Sequence, residues 1–222
     1  MSKKNTFISL LTFILIFLSS SVFTQTSNNQ EGSSSKAPIK AVTESGESVN
    51  LYFDGTWKYV PKELRAINSK KFTTPSLSKD NVKGKNTQYT INYDSKKWKI
   101  LEKSLSEIAE YSLEYTDAKA YAMVVPENEY IPMEELRNVV IQNVREASSS
   151  VKILNEEERV VNGVKVIMLT IKANIEGMNF IYMYYIYSEK KSSFQIVGFT
   201  AEESFPDYKN DIEELLNGFV VK

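Results

Sequence analysis

The 222-residue chain contains no cysteine and no histidine. The first absence removes disulfides, thiol nucleophiles and thiolate metal ligands. The second removes His-assisted triads and imidazole ligands. Glycine is sparse at eight residues, and neither a P-loop nor a GxGxxG pattern occurs among them. Acid–base chemistry is left to carboxylates, in the runs Glu134-Glu135, Glu156-Glu157-Glu158, Glu202-Glu203 and Glu213-Glu214. Neighbouring strand residues point to opposite faces, so such pairs do not converge on a substrate. They read as solvated surface, and no EF-hand spacing turns them into a calcium loop. The chain reads as no enzyme, with no catalytic, cofactor-binding or metal-binding residue to assign.

Long apolar runs are equally scarce. The one present, Phe7 to Leu18, follows Lys3 and Lys4 and precedes Ser19, Ser20 and Ser21. That three-part order defines a secretory signal peptide over residues 1–24, with cleavage near Thr24/Gln25. The rival reading is an uncleaved anchor, for which Phe7 to Phe23 is 17 residues and thus at the short end. The expected location is periplasmic or extracellular, with no membrane span after signal removal and no nucleic-acid partner. Export without disulfides suits a bacterial envelope or secreted protein.

Charge is divided unevenly. Gln25 to Asn86 carries ten basic and six acidic side chains, whereas Thr87 to Lys222 carries fifteen basic and twenty-two acidic. The bland account is a solvated linker beside an acidic domain; the functional one is recruitment of partners by charge.

Residues 25–38 are polar and serine-rich, a flexible leader. Ser45-Gly46 and Asp54-Gly55 then punctuate three short β-forming runs, Ile39 to Thr43, Ser48 to Phe53 and Thr56 to Val60. The expected product is a small meander over 39–60, with Trp57 and Tyr59 as its packing residues. Residues 61–86 hold seven Lys/Arg against Glu63 and Asp80 and read as a basic linker, with room for a short helix around Glu63 to Asn68.

From Thr87 the pattern is regular. Strands are expected at Tyr89 to Tyr93, Trp98 to Leu101, Ala109 to Tyr115 and Ala120 to Val125. Met133, Leu136, Val140, Val144 and Ala147 mark an amphipathic helix behind Pro132. Val151 to Val161 and Val164 to Asn174 flank the hairpin dipeptide Asn162-Gly163. Met178 to Tyr187 is apolar on both alternating faces and should lie centrally, covered on both sides. Phe194 to Thr200 adds a strand. A closing helix from Phe205 to Phe219 begins with a capping-box-like Ser204 and Asp207. Two helices for two sheet faces predict an α+β fold, an α/β/α sandwich around a mainly antiparallel sheet, preceded by the small β-meander.

The segment Asp54-Gly55-Thr56-Trp57-Lys58-Tyr59 resembles a short DGTW hairpin of exported Bacteroidetes-type proteins. Over residues 87–222 the element order resembles the PsbP/Mog1-like superfamily. Tyr89-x-Ile91-x-Tyr93, Trp98-Lys99, Val161-Asn162-Gly163, the aromatic run Phe180 to Tyr187 and Gln195 to Thr200 carry that likeness. Asp94-Ser95 departs from it, standing where a proline is common. Members are mostly non-enzymatic and include a photosystem II accessory subunit, a Ran-GTPase-binding protein, envelope lipoproteins and secretion chaperones. The resemblance implies a binding or accessory role.

The expectation is therefore an exported accessory or protein-binding module whose partner is another exported or envelope protein. Lys70, Lys71, Lys79, Lys83 and Lys85 are its candidate contacts. A second reading is a carrier of a small apolar ligand in a pocket lined by tyrosines such as Tyr182, Tyr184, Tyr185 and Tyr187, although sheet core is their ordinary fate. A third is a carboxylate-dependent hydrolase, which needs two convergent acids.

Overall fold

Asn162 and Gly163 both adopt positive φ, 49° and 88°, the conformation that a two-residue turn matched to strand twist requires. They fold β10 (Ser150–Val161) antiparallel onto β11 (Val164–Ile175). Glu176 and Gly177 repeat the device, at 48° and 85°, and lead into β12 (Met178–Glu189). With β13 (Ser192–Ala201) these strands form the meander at the centre of the protein's main sheet.

The computed structural model describes residues 38–42, 48–59, 65–85, 89–127, 129–189 and 192–221. The expected signal peptide and nearly all of the expected leader lie outside these residues, as does the Ser45-Gly46 turn. The chain divides into two compact units, with the boundary at Leu64/Arg65.

In the smaller unit β1 (Ile39–Val42), β2 (Ser48–Leu51) and β3 (Trp57–Tyr59) pair antiparallel in that order. Asp54 and Gly55 make the second turn. Gly55 has φ 82°, and the Asp54 carboxylate accepts from both the Thr56 amide and the Thr56 hydroxyl. Ile39, Leu51 and Trp57 are cross-strand partners and form one row. Trp57, expected as a packing residue, keeps 53% of its surface exposed.

In the larger unit the eight-stranded sheet runs β4 (Ala66–Phe72), β10, β11, β12, β13, β9 (Ala120–Pro126), β8 (Tyr111–Tyr115), β7 (Trp98–Ile100). Every neighbouring pair is antiparallel except β4 with β10. A second sheet places β6 (Tyr89–Tyr93) between β14 (Phe219–Val221) and β5 (Asp80–Lys83).

The expected two-sided cover of β12 is present. Phe180, Tyr182, Tyr184 and Ile186 face one core, shared with α1 (Met133–Ala147) through Leu136, Val140, Ile141 and Val144. Met183, Tyr185 and Tyr187 face the other, shared with α2 (Phe205–Asn217) through Tyr208, Ile212, Leu215 and Leu216 and with the small sheet through Val82, Ile91 and Phe219. The period of two along β12 thus sorts its side chains between two helices. Among the described residues no helix is long and apolar enough to cross a membrane.

Four expectations need correction. Residues 61–86 are not a linker throughout: β4 and β5 lie there, and Phe72 and Val82 are buried at 6% and 7% exposure. Both are edge strands, and outward lysines give an edge the composition of a linker. The short helix around Glu63 to Asn68 gives way, from Ala66 onward, to β4. Ser204 caps nothing with its side chain, because the 3-10 turn Glu202–Ser204 already holds its backbone helical as it enters α2. Finally, α2 stops at Asn217, and Phe219 belongs to β14 opposite Ile91.

Candidate functional site

All five lysines singled out by the sequence are exposed. They fall into two groups on two sheet edges. Lys70 and Lys71 lie on β4, the outer strand of the eight-stranded sheet. There β4 has three residues between Ile67 and Lys71 where β10 has one between Glu158 and Val160, so the edge is bulged. Lys70 leans over the Phe72 ring, with Nζ 5.0 Å from its centroid. Lys79, Lys83 and Lys85 lie before, on and after β5, the outer strand of the small sheet. Tyr111 anchors that stretch by donating to the Lys83 carbonyl at 2.7 Å, while the Lys85 amide donates to Glu110 at 2.5 Å. Lys85 Nζ also sits 5.5 Å from the Tyr111 centroid. Among the described residues none of the five ammonium groups has an ion-pair partner within 4.0 Å.

Of the acids expected as solvated surface, Glu135, Glu203 and Glu214 are exposed, whereas Glu134, Glu156, Glu157 and Glu213 are drawn into ion-pair clusters. Arg65 donates a fork to Glu134 at 2.8 and 2.9 Å and a third bond to Glu156 at 2.7 Å. Arg137 closes the cluster on Glu156 at 2.5 and 3.1 Å. The first turn of α1 is thereby tied to β10 and to the start of β4. A second cluster surrounds Arg159, whose side chain is 7% exposed. It pairs with Glu157, donates to Glu213 at 2.6 Å and to the Tyr185 hydroxyl at 3.0 Å, and lies 4.3 Å from the Phe72 ring centroid. Burial pushes the Tyr185 hydroxyl up to about 12 against the opposing pull of Arg159.

Burial alone would raise the Glu156 carboxyl, but the hydrogen bonds from Arg137 and Arg65 outweigh it and hold the group below its ordinary 4.5. A depressed folded-state pKa contributes stability that is complete above the unfolded value and is lost as pH falls through the folded one. Stability is therefore expected to decline as pH drops below about 4.5. Glu156→Gln should flatten that limb in pH-dependent denaturation; an unchanged slope would contradict it.

Glu127 is shifted the other way: burial raises its carboxyl, only partly offset by the amide of Gln195 at 2.5 Å. A raised and a lowered acid are what a hydrolase needs, yet these two do not meet. Glu127 follows β9, four strand spacings from β10 in the sheet order, or about 19 Å. Paired glycosidase acids stand roughly 5 to 9.5 Å apart. Among the described residues no three acids gather as ligands for a cation.

The β12 tyrosines separate by parity. Tyr185 and Tyr187 are core beneath α2. Tyr182 and Tyr184, on the opposite face, line a cleft of about 30 Å³ between α1 and the sheet, with Met123, Val125, Val140, Asn143, Val144, Gln195 and Val197. Asn143 is the one lining residue that is half-exposed and so marks the mouth. At the floor Tyr182 is 3% exposed and packs on Phe199, ring centroids 5.4 Å apart. Its buried hydroxyl has no hydrogen-bond partner among the described residues. A strand aromatic is visible in a sequence, but an unmet hydroxyl is not, since its partners would come from other elements.

No family model and no curated protein matches the chain. Solved structures similar to it include the cyanobacterial PsbP, CyanoP, from Synechocystis sp. PCC 6803, at 12% identity and TM-score 0.49 over 72% of this chain and 99% of that one. LpqN of Mycobacterium tuberculosis, involved in cell envelope biogenesis, is similar at 9% identity and TM-score 0.45 over 64% and 90% of the two chains. The Saccharomyces cerevisiae Ran-binding protein Mog1p is similar at 10% identity and TM-score 0.43 over 64% and 94%. The two names in the superfamily that the sequence resembles, PsbP and Mog1, are thus both among these structures.

Proposed function

We propose that this chain is an exported, non-enzymatic binding protein that holds another exported or envelope protein through its lysine-bearing sheet edges. The observation that carries this reading is a mismatch in charge pairing. Buried and half-buried acids are taken up by Arg65, Arg137 and Arg159, while Lys70, Lys71, Lys79, Lys83 and Lys85 stand exposed without an acidic partner among the described residues. The partner this suits presents acidic side chains. The carrier reading has less support, because a cleft of about 30 Å³ has room for a water or two and not for a drug-sized ligand.

The test is affinity capture of the partner from the host's envelope and secreted fraction, repeated with two charge-reversed variants. Reversing Lys70 and Lys71 to Glu, or Lys79, Lys83 and Lys85 to Glu, is expected to weaken capture about tenfold or more in the set that forms the contact. The effect should shrink in high salt, which screens exposed charges. Undiminished capture by both variants would overturn the reading.

A further inference from the structure

The floor of the α1 cleft holds a polar group that the fold does not use. Tyr182 is set among Phe180, Tyr184 and Phe199, where a phenylalanine would fill the same space. A buried hydroxyl without a partner is destabilising, so the phenol costs stability that a plain ring would not. We propose that this cleft is a binding site for a small neutral molecule whose carbonyl-type acceptor meets the Tyr182 hydroxyl and whose compact apolar body stays at the mouth, beside Asn143.

The chemistry of the walls selects that class. Burial, with a smaller effect of Tyr184, pushes the Tyr182 pKa far above its ordinary value, so the hydroxyl keeps its proton and can donate it. No lysine or arginine lines the cleft, and the Gln195 side chain at its wall is bonded to Glu127. A carboxylate or phosphate would enter without a counter-charge and beside an acid. A water is the competing occupant, since Asn143, Tyr184 and Gln195 line the same cleft and bring polar groups of their own, and it predicts no saturable binding of a ketone. The available space suits a carbonyl end entering past Asn143, with the rest of the molecule at the rim. The site is independent of the lysine edges and of whatever protein they hold.

The test uses cyclopentanone as the probe and cyclopentane as its counterpart without an acceptor, titrated into methyl-labelled full-length protein. Saturable shifts at the Met123, Val140, Val144 and Val197 methyls are expected with the ketone, and weaker binding of the hydrocarbon. Tyr182→Phe should weaken ketone binding about fivefold. The same substitution should raise the melting temperature of the unliganded protein by about 4 °C, because it removes the unmet hydroxyl. A site that only packs the core would show the gain in stability with no saturable ketone shifts, and that result overturns the proposal. Equal ketone affinity in wild type and Tyr182→Phe, or a lower melting temperature in the variant, overturns it too.

Discussion

Gly218→Ala is expected to lower the melting temperature by about 6 to 12 °C, corresponding to about 3 kcal/mol in a unit of this size. Gly218 joins α2 to β14 at φ −71°, a conformation any residue can adopt, so backbone freedom is not the reason. Space is. A Cβ placed on it would overlap the Asn92 carbonyl oxygen and lie 2.9 Å from the carbonyl carbon and 3.0 Å from the Leu215 oxygen. These are backbone atoms of β6 and α2, which cannot swing aside as a flexible side chain would. The close approach exists because the Gly218 carbonyl accepts from both the Asn92 amide, at 2.9 Å, and the Asn92 side chain, at 3.0 Å. Relief would come by pulling β14 from β6 and withdrawing Phe219, at 0% exposure, from the core. Hydrogen exchange should locate the damage at the Asn92 amide. A variant within about 1 kcal/mol of wild type would mean that the junction yields more readily than close packing allows.

Arg159→Ala is expected to cost 3 to 5 kcal/mol, roughly what is lost when one member of a buried ion pair is removed and its partners stay behind. Glu157 and Glu213 would be left at 14% and 22% exposure with no cation between them. The Tyr185 hydroxyl, which itself donates to Asn217 at 2.7 Å, would lose its donor. The guanidinium over Phe72 joins β4 to this network, as does Asn68, which donates to Glu157 at 3.0 Å, so protection of the β4 amides should fall with global stability. Arg159→Lys keeps the charge but loses the planar fork and should recover only part of the loss. Chemical denaturation of the three proteins checks the order wild type, Lys, Ala. Equal stability of wild type and Arg159→Ala would show that the cluster contributes nothing net.

What could be read from the chain and what could not divide along one physical line. Asn162-Gly163, the alternation of Met178 to Tyr187 and the stripe of Leu136, Val140 and Val144 are local signals, and each specifies an element almost by itself. The edge strands β4 and β5 are different. Ile67 is 77% exposed, and Lys70, Lys71 and Lys83 point to solvent, so only Phe72 and Val82 reveal a buried side. β14 is three residues long and exists because Phe219 finds Ile91, more than a hundred residues away. The candidate site follows the same rule. The lysines were visible as residues, but not their separation onto two sheets. Arg65 meets Glu134 and Glu156 only through the fold, and Arg159, which has Glu157 two residues away in the sequence, gains Glu213 and Tyr185 the same way. Tyr182 looks like core, and it is core at every atom but its hydroxyl.

The parallel pairing of β4 with β10 also dictates an order of events. Arg65 reaches Glu156 across 91 positions of chain, and Asn92 reaches Gly218 across 126. The turns joining β10 to β11 and β11 to β12 take two residues each. Closing long loops costs entropy before any contact rewards it, so the central meander should condense first. On a ribosome, β4 is made early and has no edge to join until β10 has been synthesised and paired. β6 can pair with β5 at once, but its other edge waits longer still, until β14 is made. β4, which reads as part of a linker in the sequence, thus stays without its partner strand for most of the time the protein takes to be made.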